Sequence, residues 1–551
     1  MRKLFAISLL VAAAASADEV TYRSIQSGPT PNGPPTPIYD HGIHGEGQII
    51  AFLDTGVDYD SCYFAEADGS RPPINTRLDT DNVDLSRRKI VAYDFLYSCD
   101  QYPNAFGCDD PNDPKAYDNT THGTLTAAAA VAQRDPFTFD HGDGDAPAAK
   151  AIVQDGGYIG GDYCSQRPGF GCPVNLTPIL EQAYRQGARI HSNSWGDFQG
   201  IPPPLPPPLA NYSAGARDID AFVWSHPDML VVFNTGNFGG PTGLPPASSL
   251  SAPGDAKNTI QVGGTRDLFH IDDNVFSWFS LVGPTRDGRI KPDLVAPAYA
   301  TLANGDFDVS THNCDVSIHQ AGTSYSSPAL AGAAALVRQY YTDGFFPTGV
   351  ATPSNRFTPS AALLKATLIA AARRAQYIVP STGQAATKPV PSYEQGFGFP
   401  VLGDALYFPG DLAKLRMLDV PLTAGLAEGE STTLHVSAHA GTPLKIVLVW
   451  TDPPGFARGA SDPTPELVND LDLRVIDPSG ALRYGNDVLH PGQPDRLNNV
   501  EAVAFAQPFA GTYTLTISAN HLGLGPRQSY ALVVTGDLDN DVSARSRAVR
   551  H

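Results

Sequence analysis

Charge is scarce in this chain. Only 17% of its 551 residues are Asp, Glu, Lys or Arg, and the balance is one-sided: 37 Lys and Arg against 57 Asp and Glu, a formal net charge of −20. Neutralising a phosphate backbone takes clustered basic residues, so the composition excludes a nucleic-acid partner. Long hydrophobic runs are missing too. The apolar stretch from Leu4 to Ala15 is short of the roughly 20 residues a spanning helix needs, and no later segment is long and uncharged enough to cross a bilayer. Cysteines number six, and none stands in the CxxC spacing of a zinc site. What remains is the make-up of a globular protein with many turns: 42% hydrophobic residues, 52 Gly and 49 Pro. A chain this long outgrows one compact core, and two domains are predicted.

Met1-Arg2-Lys3, the apolar run and Ala15-Ser16-Ala17 before Asp18 have the layout of a cleavable secretory signal. Residues 1–17 are therefore predicted to be removed, and the mature protein to be secreted and free of the membrane. An oxidising destination favours disulfides over thiols. The short separations of Cys99 from Cys108 and of Cys164 from Cys172 make those the natural pairs, which leaves Cys62 with Cys314. Asn119, Asn175 and Asn211 stand in triplets open to glycosylation.

From about Gln48 to Tyr407, short apolar runs such as QIIAFLDTG, AKAIVQDGG and MLVVFNTGN alternate with Ala-rich stretches. That alternation predicts an α/β domain with a mainly parallel sheet, assigned to 18–411. Helices are predicted over 125–131, 178–186, 328–340 and 359–374, the last with Thr358 as N-cap and Pro359 in its first turn. After about Leu412 the runs become short and β-rich, as in TTLHVSAH, LKIVLVW and GTYTLTISA. A β-sandwich is predicted over 412–538, followed by a tail at 539–551. IPPPLPPPL at 201–209 reads as a stiff polyproline II insertion, and HGDGD at 141–145 as a mobile loop.

Three strings carry chemistry. IIAFLDTGVD ends a buried strand on Asp54, where α/β folds present functional groups. DNTTHGTLTAAAAVAQ sets His122 at the mouth of an Ala-rich helix. AGTSYSSPALAGAAALVRQ sets Ser324 just ahead of Pro328 and a helix of small side chains, whose N-terminus offers backbone N–H groups and a positive dipole end. The order Asp, His, Ser separates this chain from the chymotrypsin and α/β-hydrolase arrangements. With LDTGVD, THGT and GTSYSSP in that order, the sequence resembles the subtilase (S8) family.

The resemblance implies a subtilisin-like three-layer domain and a serine endopeptidase in which Asp54, His122 and Ser324 form the catalytic triad. VVFNTGNFG resembles the family's oxyanion motif and implies that role for Asn237. In ARIHSNSWG, Ser194-Trp195-Gly196 resembles the strand that binds substrate backbone. The nearest likeness is to the oxidatively stable alkaline subtilases with a C-terminal β-barrel, carried by LVWTDPP, LVNDLDLRVIDPSG and NNVEAVAF, which implies a jelly-roll-like sandwich. Protein or peptide substrates and a monomeric enzyme are expected.

The chain also departs from the family pattern. Its THGTL lacks the leading Gly and trailing His of the common GHGTH, Tyr325 follows the serine where Met is usual, and FSLVG stands for FSSRG. The short stretch between Asp18 and Asp54 does not fit an inhibitory pro-domain. No cofactor is expected for catalysis. Structural calcium is an expectation for Asn469-Asp470-Leu471-Asp472 with Asp495 and Glu501, whose hard oxygens suit that ion, although acidic turn residues are more often merely solvated.

Overall fold

The computed structural model of the protein describes residues 21–28, 36–103, 108–118, 120–157, 175–196, 212–237, 247–265, 276–277, 279–379, 384–459 and 462–539. The predicted signal, the Cys164/Cys172 pair, the polyproline segment, Asn119 and Asn211 lie outside them. Asn175 lies within them and is exposed.

Strands read as unbroken apolar runs need cover on both faces, which helices on either side of a parallel sheet provide. Eight strands form that sheet: β1 (Ile49–Asp54), β2 (Ile74–Asn75), β3 (Ile90–Phe95), β4 (Lys150–Asp155), β5 (Ile190–Asn193), β6 (Leu230–Asn234), β7 (Ile260–Thr265) and β8 (Leu294–Pro297). Their spatial order is β2-β3-β4-β1-β5-β6-β7-β8, with parallel pairing throughout. After β1 the chain crosses to the edge at β2, builds back inward through β3 to β4 beside β1, and then runs outward on the other side from β5 to β8. At such a reversal the loops beyond the strand C-termini part to leave a crevice, and Asp54 ends β1 there.

The covering helices are α1 (Thr21–Ser27), α2 (Pro37–Asp40), α3 (His122–Val131), α4 (Thr177–Arg185), α5 (Ala214–Ser225), α6 (Thr323–Thr342) and α7 (Ala361–Ala371). In α3 and α6 nearly every side chain is buried, as their Ala and Gly content allows. A Cβ at Gly332 would come within 2.8 Å of the Asp145 Cβ, so α6 packs closer than a larger residue permits. A hairpin of β9 (Tyr299–Ala303) and β10 (Val316–Ala321) leads into α6. Four short strands, β11 (Ala372–Arg373), β12 (Gln376–Val379), β13 (Gln384–Thr387) and β14 (Phe399–Pro400), follow α7.

The sequence reading needs correction at three places. Helix α6 begins at Thr323 and not at Pro328, which lies inside it. The cap of α7 is Ser360, whose Oγ accepts from Leu363 N at 3.0 Å, not Thr358, and the helix ends at Ala371. The 141–145 stretch is anchored, with Asp143 and Asp145 buried. Asp143 accepts from Arg134 N at 2.8 Å and Asp140 N at 3.0 Å, and Thr21 Oγ1 donates to Asp145 at 2.6 Å. Carboxylates taken out of water need such donors. Disulfides join Cys99 to Cys108 and Cys62 to Cys314.

From Lys414 onward the chain forms two four-stranded antiparallel sheets. One contains β15 (Lys414–Val420), β17 (Leu444–Val449), β20 (Val500–Phe505) and β22 (Tyr530–Gly536); the other contains β16 (Ser431–Ala438), β18 (Asn469–Ile476), β19 (Leu482–Tyr484) and β21 (Gly511–Leu522). Ile446, Leu448, Leu473, Leu515, Ile517 and Leu532 fill the core between them. Val447, Val449, Ala531 and Val533 on the opposite face of the first sheet join the main core instead. Lys445 reaches the end of α7, donating from Nζ to the carbonyls of Ala370 at 2.9 Å and Ala372 at 2.5 Å.

Candidate active site

The crevice at the end of β1 brings Asp54 and His122 together. Asp54 Oδ1 meets His122 Nδ1 at 2.7 Å and accepts from Thr55 N at 2.8 Å, while Oδ2 accepts from Thr126 Oγ1 at 3.2 Å. Asp54 is 5% exposed, so these bonds act in a low dielectric where each weighs more than in water. Close backbone approach makes the meeting feasible. A Cβ at Gly123 would stand 1.9 Å from the Gly56 carbonyl oxygen, so only glycine lets the start of α3 lie against the DTG turn. Gly123 N donates to Thr55 Oγ1 at 2.9 Å and pins that contact. Thr121, just before His122, adopts φ 58°, a left-handed conformation rare for a β-branched residue.

Ser324 sits in the first turn of α6. Its Oγ donates to the Ser194 carbonyl at 3.4 Å, and no bond to His122 is formed. The imidazole is nonetheless a neighbour, its ring centre 6.4 Å from that of Tyr325. Pro328 explains a second link. Lacking an N–H, it cannot bond the carbonyl four residues back, and that carbonyl, on Ser324, accepts from Ser194 Oγ at 2.7 Å. Ser327 Oγ donates to the Asn193 carbonyl at 3.2 Å, so the end of β5 is tied to the start of α6.

Asn237 stands beyond β6, bridged to Ser280. Its Oδ1 accepts from Thr323 N at 2.9 Å and Thr323 Oγ1 at 3.0 Å, which fixes the amide orientation, because two donors demand the oxygen. A Cβ at Gly322 would be 3.7 Å from both Asn237 Nδ2 and Ser324 N. Those two donors thus flank one point, with the Ser324 N–H among the helix-start groups that have no helical partner. Trp195 is buried with its ring edge-on to Phe233 at 5.3 Å. A Cβ at Gly196 would meet Ser251 Oγ at 2.8 Å.

Residues 45–398 match the profile of the Peptidase_S8 subtilase family. The chain belongs to the subtilase family. Residues 45–398 are thus a domain of a serine-peptidase family. This subtilase is 28% identical to the serine protease/ABC transporter B family protein tagA of Dictyostelium discoideum, over 94% of its own length and 32% of the relative's. To tagB of the same organism it is 27% identical, over 90% and 30%. It therefore spans about a third of the length of these curated relatives. The serine protease AprX of Bacillus subtilis (strain 168) is 31% identical over 21% of this chain and 27% of AprX. Among solved structures, a serine protease of Aeromonas sobria shares 15% identity at a TM-score of 0.39, covering 90% of this chain and 89% of that one. The PatG macrocyclase in complex with peptide shares 15% at 0.41, covering 67% and 92%.

Sequence reasoning missed several groups around the subtilase's candidate residues. Thr55, Thr126 and Thr323 hold Asp54, Gly123 and Asn237, and the signal lay in the motifs themselves, where each stands within four residues of a candidate. Beneath the site, His191 bonds Gln154 and Asn193, both at 2.9 Å, and burial pulls its imidazole down to about 3. His191 is thus neutral at working pH. Burial likewise pushes the carboxyls of Asp118 and Asp155 well above the usual range, although Asp155 lies in register with Asp54.

Most of the oxygens expected to suit calcium have protein partners, whereas Asp470 Oδ1 and Glu501 Oε1 are buried without one. Arg496 bonds Asp470 at 2.9 Å and also Asp472. Asp495 accepts from Asn486 and Asn498, each at 2.7 Å, and Glu501 from Leu473 N at 2.6 Å. Among the described residues no three His, Cys, Asp or Glu side chains are grouped to hold a metal ion. The Arg496 guanidinium thus stands among these carboxylates. No helix among the described residues is long and apolar enough to cross a membrane.

Proposed function

We propose that this subtilase is a secreted, monomeric endopeptidase that cleaves polypeptides through an acyl-enzyme on Ser324. The 2.7 Å bond between Asp54 and His122 beside the start of α6 carries the reading. A serine hydroxyl is a weak nucleophile until a base takes its proton. In the proposed first step Ser324 Oγ leaves the Ser194 carbonyl, passes its proton to His122 and attacks the scissile carbonyl. Asp54 holds the imidazole tautomer and offsets the imidazolium charge. Asn237 Nδ2 and Ser324 N–H receive the oxyanion. His122 then protonates the departing amine, and water repeats the sequence to release the acyl product. Ser194, Trp195 and Gly196 are read as the segment along which substrate backbone lies.

We further assign the antiparallel sheets after Lys414 to a jelly-roll-like domain of the kind carried by the oxidatively stable alkaline subtilases, on the strength of LVWTDPP and NNVEAVAF. A fluorophosphonate probe tests the central assignment: it should label the wild-type protein covalently and leave Ser324→Ala unlabelled. Labelling of both, or of neither, overturns it.

A further inference from the structure

The loop at 455–458 belongs to the antiparallel part of the chain, yet it is fastened to the parallel part beside the substrate segment. Gly455 N donates to the Tyr212 hydroxyl at 3.0 Å, and Arg458 N donates to the Tyr212 carbonyl at 3.0 Å. Tyr212 is buried and donates in turn to Asp220 of α5 at 2.7 Å. On its other side the loop is held by buried Glu466, which accepts from Phe456 N and from Arg458 Nε, each at 2.7 Å. Deeper still, buried Lys257 pairs with Asp452 and donates to the carbonyls of Pro453 at 2.6 Å and Glu466 at 2.7 Å.

From this frame Phe456 projects with 75% of its surface exposed, and the Arg458 guanidinium lies 5.8 Å from its ring centre. A lone exposed aromatic on a surface needs no explanation. One held on a rigid loop next to a binding segment does. Residues 251–253 measure how near it is. A Cβ at Gly196 would touch Ser251 and Ala252, and one at Gly215, near the start of α5, would come within 3.1 Å of Pro253. Gly196 and the α5 start, with Tyr212 just ahead of it, therefore flank one short stretch.

We propose that the 455–458 loop forms the outer wall of the substrate cleft, with Phe456 receiving an apolar side chain of the substrate several residues before the scissile bond. The leaving group must face His122, on the β1 side of Ser324, so the portion running along 194–196 toward α5 is the acyl portion. Extended backbone advances about 3.3 Å per residue, so a short substrate ends before it reaches the loop and a long one does not. The inference rests on the proposed roles of Ser324 and of residues 194–196.

Phe456→Ala removes an exposed ring and leaves the loop's backbone bonds in place. Wild type and variant are compared on two chromogenic peptides with the same residues at the cleaved bond, one with two residues before it and one with eight, apolar at the outer positions. The variant should lose about tenfold in kcat/KM on the long peptide, chiefly through KM, as loss of an apolar anchor predicts, and match wild type on the short one. Replacing the outer apolar residues of the peptide by Gly should cost wild type a similar factor and the variant nothing. Equal rates on the long peptide, or equal losses on both peptides, overturn the proposal. Wild type that cleaves neither peptide and takes no fluorophosphonate label overturns the catalytic reading beneath it, a result distinct from the other two.

Discussion

The two halves of the candidate site are built to different tightness. On the β1 side, Asp54 is bonded through both oxygens, to His122, Thr55 and Thr126, and glycines at 56 and 123 clamp the backbones together. On the α6 side the backbone is equally well tied, but the Ser324 hydroxyl keeps a single long contact of 3.4 Å. In the proposed mechanism, rigidity is placed where a tautomer and a charge must be oriented. On the same reading, freedom is left at the one atom that has to change partners. Preorganised dipoles cost nothing to reorganise during reaction, whereas a nucleophile locked in a strong bond would have to break it first.

The largest effect short of removing the proposed nucleophile is expected at Asn237, whose Oδ1 is committed to Thr323 and whose Nδ2 is the proposed oxyanion donor. Loss of the equivalent donor in subtilisin lowers kcat by about 10² to 10³, and Asn237→Ala should do the same here with KM unchanged in steady-state assays. A rise in KM at constant kcat would instead make Asn237 an ordinary binding residue. A smaller effect is expected on the tight side. Thr126→Val keeps the shape but takes the only hydroxyl from Asp54 Oδ2, stranding a buried acceptor at about 1 to 3 kcal/mol. About a tenfold fall in kcat/KM should follow, with recovery in Thr126→Ser. Indifference to Thr126→Val would show that Thr55 and His122 suffice to hold the carboxylate.

Much of this was legible in the sequence, because strand ends and motif order place Asp54, His122 and Ser324 before any contact is known. What stayed hidden has a common cause: it depends on partners far along the chain. Pro328 reads locally as a helix start, and only the Ser194 hydroxyl shows why a proline is useful inside α6, since it frees the Ser324 carbonyl. Ser360 displaces Thr358 as cap because Asp419 also fixes it, accepting from its N at 2.9 Å and its Oγ at 2.7 Å. The alternating pattern expected of a sandwich holds for β21 but fails for β22, which is buried along its whole length. Its second face is covered by α7, a neighbour that no strand periodicity reports. Likewise the acidic run at 469–472 is paired with Arg496, some two dozen residues later, a partner that no local reading reports.

The smallest expected effect separates the two halves most finely. Thr121 takes the left-handed backbone conformation, φ 58° and ψ −4°, directly before His122, at the position where the common family motif has Gly. A β-branched residue there costs roughly 1 to 2 kcal/mol, partly offset because Gly loses more chain entropy on folding. Thr121→Gly should therefore raise stability by about 1 kcal/mol in urea unfolding. Strain next to a catalytic group is either tolerated or used, and activity tells which. The Thr121 carbonyl already accepts from Leu125 N at 3.0 Å, and Asp54 independently fixes the ring, so the imidazole has its orientation without help from the strain. Unchanged kcat with a higher unfolding midpoint is the expected outcome, and a fall in kcat would mean that the tight half of the site owes its geometry to the strained threonine as well as to its hydrogen bonds.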